Sequence, residues 1–169
     1  MIKTIEKFII FLMLMFPVTS LAKTLLTNNS AARQYQINII ADGLNIPWAM
    51  VFLNPSQILV TERQGTLKLL DRFSGQLQNI NGIPPVLNKG QGGLLDIALA
   101  PHYKENGWIY LYFSDRCNDC NAVSRERDVP VSMNKLVRGR IENGKWIDEQ
   151  TIWQAESEHY SPAGDVGAG

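Results

Sequence analysis

The sequence has no excess of either charge. Lysine plus arginine and aspartate plus glutamate number 16 each, so the net charge at neutral pH is zero. Proteins that bind nucleic acid do so largely through clustered cationic side chains that neutralise phosphates. No such basic patch occurs along this chain, so a nucleic-acid partner is not expected. The 13 glycines and 8 prolines favour a globular fold with many turns.

Long hydrophobic runs are also scarce, and the exception lies near the start. Lys3 and Lys7 precede an apolar run over residues 8–18, and small residues at 19–22 offer a cleavage site. This pattern predicts a secretory signal peptide over residues 1–22. The alternative is an uncleaved tether, although a spanning helix needs roughly 20 apolar residues and this run is shorter. We therefore expect a periplasmic or secreted protein with no stable membrane insertion after cleavage.

Cysteine is limited to Cys117 and Cys120, which have two polar residues between them. In an oxidising compartment a local disulfide is the simplest outcome. A zinc site would need two further ligands at suitable spacing, and a redox-active pair would need a helix start in a βαβ setting. Neither setting is evident, which leaves a structural disulfide or two unpaired thiols.

Helical periodicity is missing outside the leader, and strand patterns dominate instead. Short runs rich in β-branched or aromatic residues lie at 35–40, 58–61 and 108–113, bounded by turn-forming residues. Residues 142–144, Glu-Asn-Gly, are typical of a tight hairpin turn. An all-β fold is predicted, preceded by a polar lead-in over residues 23–34.

A weak internal repeat indicates how these strands are organised. Residues 49–55 and 58–61 align with residues 97–101 and 109–112, and Pro55 and Pro101 are 46 positions apart. A period of ~40–50 residues is expected of four-stranded propeller blades. A β-sandwich with similar hairpins is the alternative.

The length of the chain limits the number of such blades. The 169 residues less the 22 of the leader leave 147, enough for about three blades, whereas propellers close with about 4 to 8. We therefore expect an incomplete β-propeller over residues 35–160, followed by an irregular, truncated tail over 161–169. An open stack of this kind would be marginally stable or prone to aggregate, because its strand edges are unpaired.

Three ordered segments carry a resemblance to a known family. They are GLNIPWAMVFL at 43–53, LVTERQGTL at 59–67 and GQGGLLDIAL at 90–99. In this order they resemble the glucose/sorbosone dehydrogenase family of soluble aldose sugar dehydrogenases, over about residues 36–153. The resemblance implies the N-terminal part of a six-bladed propeller that binds pyrroloquinoline quinone (PQQ) together with calcium. It further implies oxidation of an aldose at its anomeric carbon to a lactone, by hydride transfer to the quinone.

The resemblance also implies roles for individual residues. His159 lies where the family places its proton-abstracting base, although the family continues with Gly-Gly-Arg and this chain does not. Gln91 matches a glutamine in the active-site funnel, where its amide could bind a sugar hydroxyl or a quinone oxygen. A tight turn with Gln91 facing water is the alternative. The flanking glycines would permit a positive φ and a close approach of the backbone to a flat ligand.

The remaining polar positions are expected to be mainly structural. Glu62 and Arg63 end a strand and favour an ion pair at the inner rim between blades, with Arg63 facing the cofactor as the alternative. Asp96 is expected to be a hydrogen-bond acceptor and His102 a surface residue. Ligands for calcium are expected beyond Gly169, and no metal ligand is assigned here.

The most favoured interpretation is thus a truncated copy of a PQQ-dependent aldose dehydrogenase. A non-catalytic propeller fragment that binds a sugar or a partner chain is the alternative. A calcium-dependent lactonase on a similar propeller is a third, and the glycine-flanked Gln91 motif argues against it. The preferred sugar and the electron acceptor stay open.

Overall fold

The computed structural model describes residues 24–30 and 33–162 of the chain. The chain divides into two units, residues 1–38 and 39–169. The predicted signal peptide at 1–22 lies outside the described residues.

The described part of the first unit is an antiparallel hairpin. Strand β1 (Thr24–Ser30) pairs with β2 (Arg33–Asn38), with Thr27 opposite Gln36. The segment predicted as a polar lead-in over 23–34 contains the whole of β1 and the start of β2. A polar sequence lacks the apolar alternation from which a strand is predicted, but backbone pairing does not require it.

The second unit contains two antiparallel sheets, each built from consecutive strands. The first sheet is ordered β3 (Pro47–Phe52), β4 (Gln57–Glu62), β5 (Thr66–Asp71) and β6 (Leu77–Ile80). The second is ordered β7 (Leu94–Leu99), β8 (Ile109–Cys117), β9 (Val131–Glu142) and β10 (Lys145–Gln154). Each sheet is thus a four-stranded meander of the kind predicted for a propeller blade.

Short elements fill the connections. Helix α1 (Tyr103–Asn106) lies between β7 and β8, and helix α2 (Ala122–Arg127) lies between β8 and β9. After β10, a 3₁₀ turn (Ser157–His159) leads into β11 (Ser161–Pro162), which pairs with the start of β9. The tail predicted to be irregular from residue 161 therefore begins with a paired strand, and residues 163–169 lie outside the described part. Within residues 24–30 and 33–162, no helix is long and apolar enough to cross a bilayer.

The cross-strand register confirms the internal repeat. Val51, four residues before Pro55, pairs with Leu59 in the first sheet, and Ile97, four residues before Pro101, pairs with Leu111 in the second. Both sheets therefore begin with the same two-strand unit, joined by a turn that contains a proline. The connection in the second sheet is longer because it includes α1.

The main hydrophobic core lies between the two sheets. Leu59 and Leu67 from the first sheet and Leu111 and Phe113 from the second are fully buried there. Successive side chains of a strand point to opposite faces, so each strand contributes alternate residues to this core. Burying such side chains is worth roughly 1.5–3 kcal/mol each, which fixes the two sheets face to face.

The other face of the first sheet is apolar but open. Ile58, Val60 and Leu70 form a smaller buried cluster on it, while Met50 and Phe52 are 64% and 50% exposed. This surface, called the open face below, borders a cavity of about 330 Å³ lined by residues from 40 to 70.

The described residues contain two meanders of four strands each, the second extended by β11, where the length predicted about three blades. Part of the difference lies in the long connections at residues 81–93 and 118–130, which use chain without adding strands. The hairpin β1–β2 accounts for another part, because it forms a sheet of its own.

Candidate active site

The predicted site residues lie at the same end of the two sheets, the end where strands β4 and β8 finish. In a meander alternate connections emerge on one side, so the β4–β5, β6–β7 and β8–β9 connections share one end of the sheets. The Leu94 amide donates to the Arg63 carbonyl (2.9 Å), which places the starts of β5 and β7 together. Ser161 pairs with Ser132 at the start of β9, which brings the segment before β11 to the same end. We call this region the loop end.

Arg63 joins the two sheets at the loop end. Its Nη1 donates to the Gly90 carbonyl oxygen (3.0 Å), and its backbone amide donates to the Ile46 carbonyl (3.0 Å). Its Nε is buried and has no hydrogen-bond partner in the structure. A guanidinium presents its N–H groups in a planar fork that suits a carboxylate, so Arg63 retains a donor for a further acceptor.

The ion pair predicted between Glu62 and Arg63 is not formed. Glu62 is 2% exposed and accepts hydrogen bonds from the Asn45 amide (2.6 Å) and from Gln64 Nε2 (3.1 Å). Its cationic neighbour is Lys68, whose Nζ lies 3.8 Å from Oε2. Glu62 therefore stabilises the first sheet internally. The sequence could not show this because Lys68 pairs with Val60 and reaches Glu62 diagonally across the two strands, through the strand register rather than by adjacency.

The Gln91 side chain is exposed in the turn that Arg63 holds. Its glycine neighbours allow a close approach to protein atoms, whereas the approach predicted for them was to a ligand. A Cβ on Gly92 would lie 2.9 Å from both the Leu87 carbonyl oxygen and Ser114 Oγ, and one on Gly93 would overlap the Arg63 carbonyl oxygen. Gln91 is thus fixed in place by its backbone and is exposed next to the Arg63 contact.

His159 lies in the 3₁₀ turn after β10, at the loop end. Its side chain is 62% exposed, and its Nε2 lies 4.0 Å from the Glu158 carboxylate. The next residue, Tyr160, is 3% exposed and donates its hydroxyl to Asp115 Oδ2 (2.7 Å). Burial raises the pKa of the Tyr160 hydroxyl, and the hydrogen bond and negative charge of Asp115 raise it further. The tyrosine thus anchors the turn while the histidine faces outward.

Sequence reasoning missed the residue that holds this turn from the other side. The Asn121 amide donates to the Ser157 carbonyl (2.9 Å) and to the Tyr160 carbonyl (2.8 Å). Asn121 also caps helix α2 by accepting from the Ser124 amide (3.0 Å), in a reciprocal capping box. An Asn-x-x-Ser pattern before a short helical run was the available signal. The Cys117–Cys120 disulfide lies just before this cap.

One group of potential metal ligands lies at the same turn. Ligand atoms of Glu156, Glu158 and His159 lie within 4.8 Å of one another, and all three residues are exposed. Calcium takes about six to eight oxygen ligands, whereas this group offers two carboxylates and one imidazole. These residues alone do not fit a calcium site.

The remaining predictions concern Asp96 and His102. Asp96 Oδ1 accepts from the Ile97 amide (2.8 Å), which confirms a structural acceptor. His102 is 74% exposed and lies 3.9 Å from Glu105, which confirms a surface residue. A cavity of about 350 Å³ near His102 lies at the opposite end of the sheets from Gln91.

The family model described as Glucose / Sorbosone dehydrogenase matches residues 44–168, most of the chain. The chain belongs to this family. The three motifs therefore identified the family correctly.

Curated relatives extend well beyond this sequence. Over 94 residues the chain is 34% identical to aldose sugar dehydrogenase YliI of Escherichia coli (strain K12), covering 55% of this chain and 25% of that protein. Over 102 residues it is 31% identical to quinoprotein glucose dehydrogenase B of Acinetobacter calcoaceticus, covering 59% and 20% respectively. The chain thus spans about a quarter or less of these relatives.

Solved structures of the family match the described fold. The apo-form of the soluble aldose sugar dehydrogenase from Escherichia coli superposes with a TM-score of 0.57 at 30% identity, covering 68% of this chain and 31% of that one. The PQQ-bound aldose sugar dehydrogenase from Streptomyces coelicolor gives a TM-score of 0.56 at 26% identity, covering 69% and 32%. The two sheets thus match about a third of those structures.

Proposed function

We propose that this chain supplies the Arg63, Gln91 and His159 part of a site for PQQ-dependent oxidation of aldose sugars to lactones. The observation that carries the proposal is the contact of Arg63 Nη1 with the Gly90 carbonyl oxygen (3.0 Å), next to Gln91. It joins two residues that lie 27 positions apart in sequence, on the β4–β5 and β6–β7 connections. The family relationship supports the reaction class, and the loop end supplies the geometry.

Each of the three residues has a distinct role in this proposal. His159 faces solvent beside Glu158, so it can accept a proton from a sugar hydroxyl, and imidazole suits a general base near neutral pH. The Gln91 amide can both donate to and accept from a sugar hydroxyl. Arg63 orients a carboxylate through the buried Nε that has no protein partner.

The residues of the loop end fit part of a PQQ site. PQQ carries carboxylates and quinone oxygens, which are acceptors, and Arg63 offers a donor for them. When bound, PQQ would supply the hydride acceptor that protein side chains lack. Calcium fits less well, because the Glu156–Glu158–His159 group has too few oxygens. We propose that calcium is held by residues other than these.

The test is to bind PQQ to the full chain and to follow aldose-dependent dye reduction with calcium present. We expect His159→Ala to lower dye reduction by about 10²- to 10⁴-fold, the usual contribution of a general base, while PQQ binding is kept. Arg63→Met is expected to weaken PQQ binding instead. His102→Ala is the matched control, because it removes the other histidine at an exposed site.

The outcomes separate the alternatives. PQQ binding that is unaffected by Arg63→Met, or dye reduction that survives His159→Ala, would overturn the assigned roles. Sugar binding without any PQQ binding would favour the non-catalytic interpretation.

A further inference from the structure

The turn that carries His159 is held by contacts from a different part of the chain. Asn121 lies 36 residues before Ser157 and 39 before Tyr160, yet its single amide group donates to both carbonyl oxygens. Those two carbonyls bracket His159. The Asn121 amide therefore fixes the backbone on both sides of the histidine.

The Asn121 side chain can do this because its other half is already held. Its Oδ1 accepts from the Ser124 backbone amide (3.0 Å), and the Asn121 backbone amide donates to Ser124 Oγ (3.2 Å). This reciprocal capping box leaves only the amide hydrogens of Asn121 for the turn. The side chain is thus oriented by one element and used by another.

The Cys117–Cys120 disulfide restrains the position of the Asn121 backbone. Cys117 is the last residue of β8, and Cys120 directly precedes Asn121; their Cα atoms are 5.8 Å apart. The bond ties the cap residue to the end of a strand whose pairing with β9 and β7 is extensive. The disulfide thereby closes a small loop over residues 117–120, directly before Asn121.

We propose that Asn121 is a positioning residue for His159, and that the Cys117–Cys120 disulfide holds Asn121 in the required place. The amide of Asn121 fixes the direction in which the His159 turn leaves β10. The Tyr160 hydroxyl bond to Asp115 anchors the far side of the same turn. The role of His159 itself rests on the proposed function, but the clamp does not.

Asn121→Asp tests the clamp with minimal change of shape. The substitution keeps the oxygen that caps α2 and removes both donors to the turn. We expect hydrogen exchange at the amides of His159 and Tyr160 to accelerate roughly tenfold or more, because both side-chain hydrogen bonds that hold the turn are lost. Exchange in β8 and the thermal midpoint should change little. A uniform acceleration across both sheets would overturn a positioning role.

Asn118→Asp is the matched control. Asn118 lies in the same connection and accepts from Arg116 Nε (3.2 Å) through an oxygen that aspartate retains. It makes the same change of charge, so faster exchange at His159 in this variant would show a charge effect and would contradict the clamp.

The disulfide is tested by Cys117→Ser combined with Cys120→Ser. We expect hydrogen exchange at the His159 and Tyr160 amides to accelerate, but by less than in Asn121→Asp, because the capping box is kept. Unchanged exchange in the double variant would overturn the part assigned to the disulfide. Exchange is measured without PQQ or sugar, so a failure of the proposed function would leave these results intact. Where dye reduction is measurable, Asn121→Asp should lower kcat while PQQ affinity is retained.

Discussion

Gly93 lies where the backbones of the two sheets meet. Its φ is 151°, and a Cβ at this position would overlap the Arg63 carbonyl oxygen, which accepts the Leu94 amide. Gly43 has a φ of 84° but no heavy atom within 4 Å of the equivalent Cβ position. A comparison of the two glycines therefore distinguishes the cost of a positive φ, which both share, from the cost of a steric overlap, which only Gly93 would have.

Gly93→Ala is expected to lower the free energy of unfolding by about 3 kcal/mol or more, because unfavourable φ and overlap act together. Gly43→Ala should cost only about 1–2 kcal/mol, from the φ alone. Urea unfolding of both variants measures the difference. Equal costs would show that the Arg63 carbonyl can move away and that the contact is not essential.

The glycines show how far residue-level prediction reached. The motif at 90–93 predicted a close approach of the backbone to a ligand, but at Gly93 the near group is the Arg63 carbonyl oxygen. Arg63 is 30 residues from Gly93 in sequence, and only sheet packing brings it there. The Glu62–Arg63 prediction was wrong for the same reason. Neighbours in sequence lie on opposite faces of a strand, and Lys68 reaches Glu62 through the strand register.

At the scale of elements, β11 is attached to the second sheet by a side-chain bond as well as by its backbone pairs. Tyr160, directly before β11, donates to Asp115 on β8 (2.7 Å), and Lys135 on β9 lies 3.9 Å from the same carboxylate. The Tyr160 hydroxyl must be protonated to donate. The attachment therefore depends on pH.

Tyr160→Phe is expected to lower the free energy of unfolding at pH 7 by about 1.5–3 kcal/mol, the value of a hydrogen bond to a charged group. The pKa of Tyr160 in the folded chain is raised above its ordinary value of about 10. The contribution is therefore complete below about pH 10 and is lost as the pH rises toward the folded pKa. The stability gap between wild type and Tyr160→Phe should narrow above about pH 10. Chemical unfolding from pH 7 to 11 tests this, and a constant gap would contradict it.

Elements were predicted best where the turn chemistry is local. The β9–β10 hairpin turns at Asn143 and Gly144, whose φ values of 50° and 73° match the Asn-Gly pattern. Helices α1 and α2 and strands β1 and β11 were missed. All four are short, and β11 pairs with the start of β9, which is distant in sequence.

At the scale of the whole molecule, the two faces of the first sheet have different surroundings. Met50 pairs with Val60 of the smaller cluster, whereas Ile97 pairs with Leu111 of the main core. Ile97 is 6% exposed in the main core, whereas Met50 is 64% exposed on the open face. Apolar side chains on these two faces therefore have unequal energetic roles.

Ile97→Ala is expected to lower the free energy of unfolding by about 2–4 kcal/mol, because it leaves a cavity in the core. Met50→Ala should change it by no more than about 0.5 kcal/mol, as at other surface positions. Denaturant midpoints of the two variants provide the comparison. A large cost for Met50→Ala would show that the open face is covered in solution.

The sequence by itself determined the strand-rich fold, the repeat that begins each sheet and membership of the glucose/sorbosone dehydrogenase family. These follow from alternation, turn residues and ordered motifs, which are local properties of the chain. Only the tertiary structure decided which residues meet at the loop end, that Lys68 rather than Arg63 is the cationic neighbour of Glu62, and that Asn121 holds the His159 turn. Those contacts join residues from 6 to 39 positions apart, and strand register and sheet packing, which no local pattern encodes, set their distances.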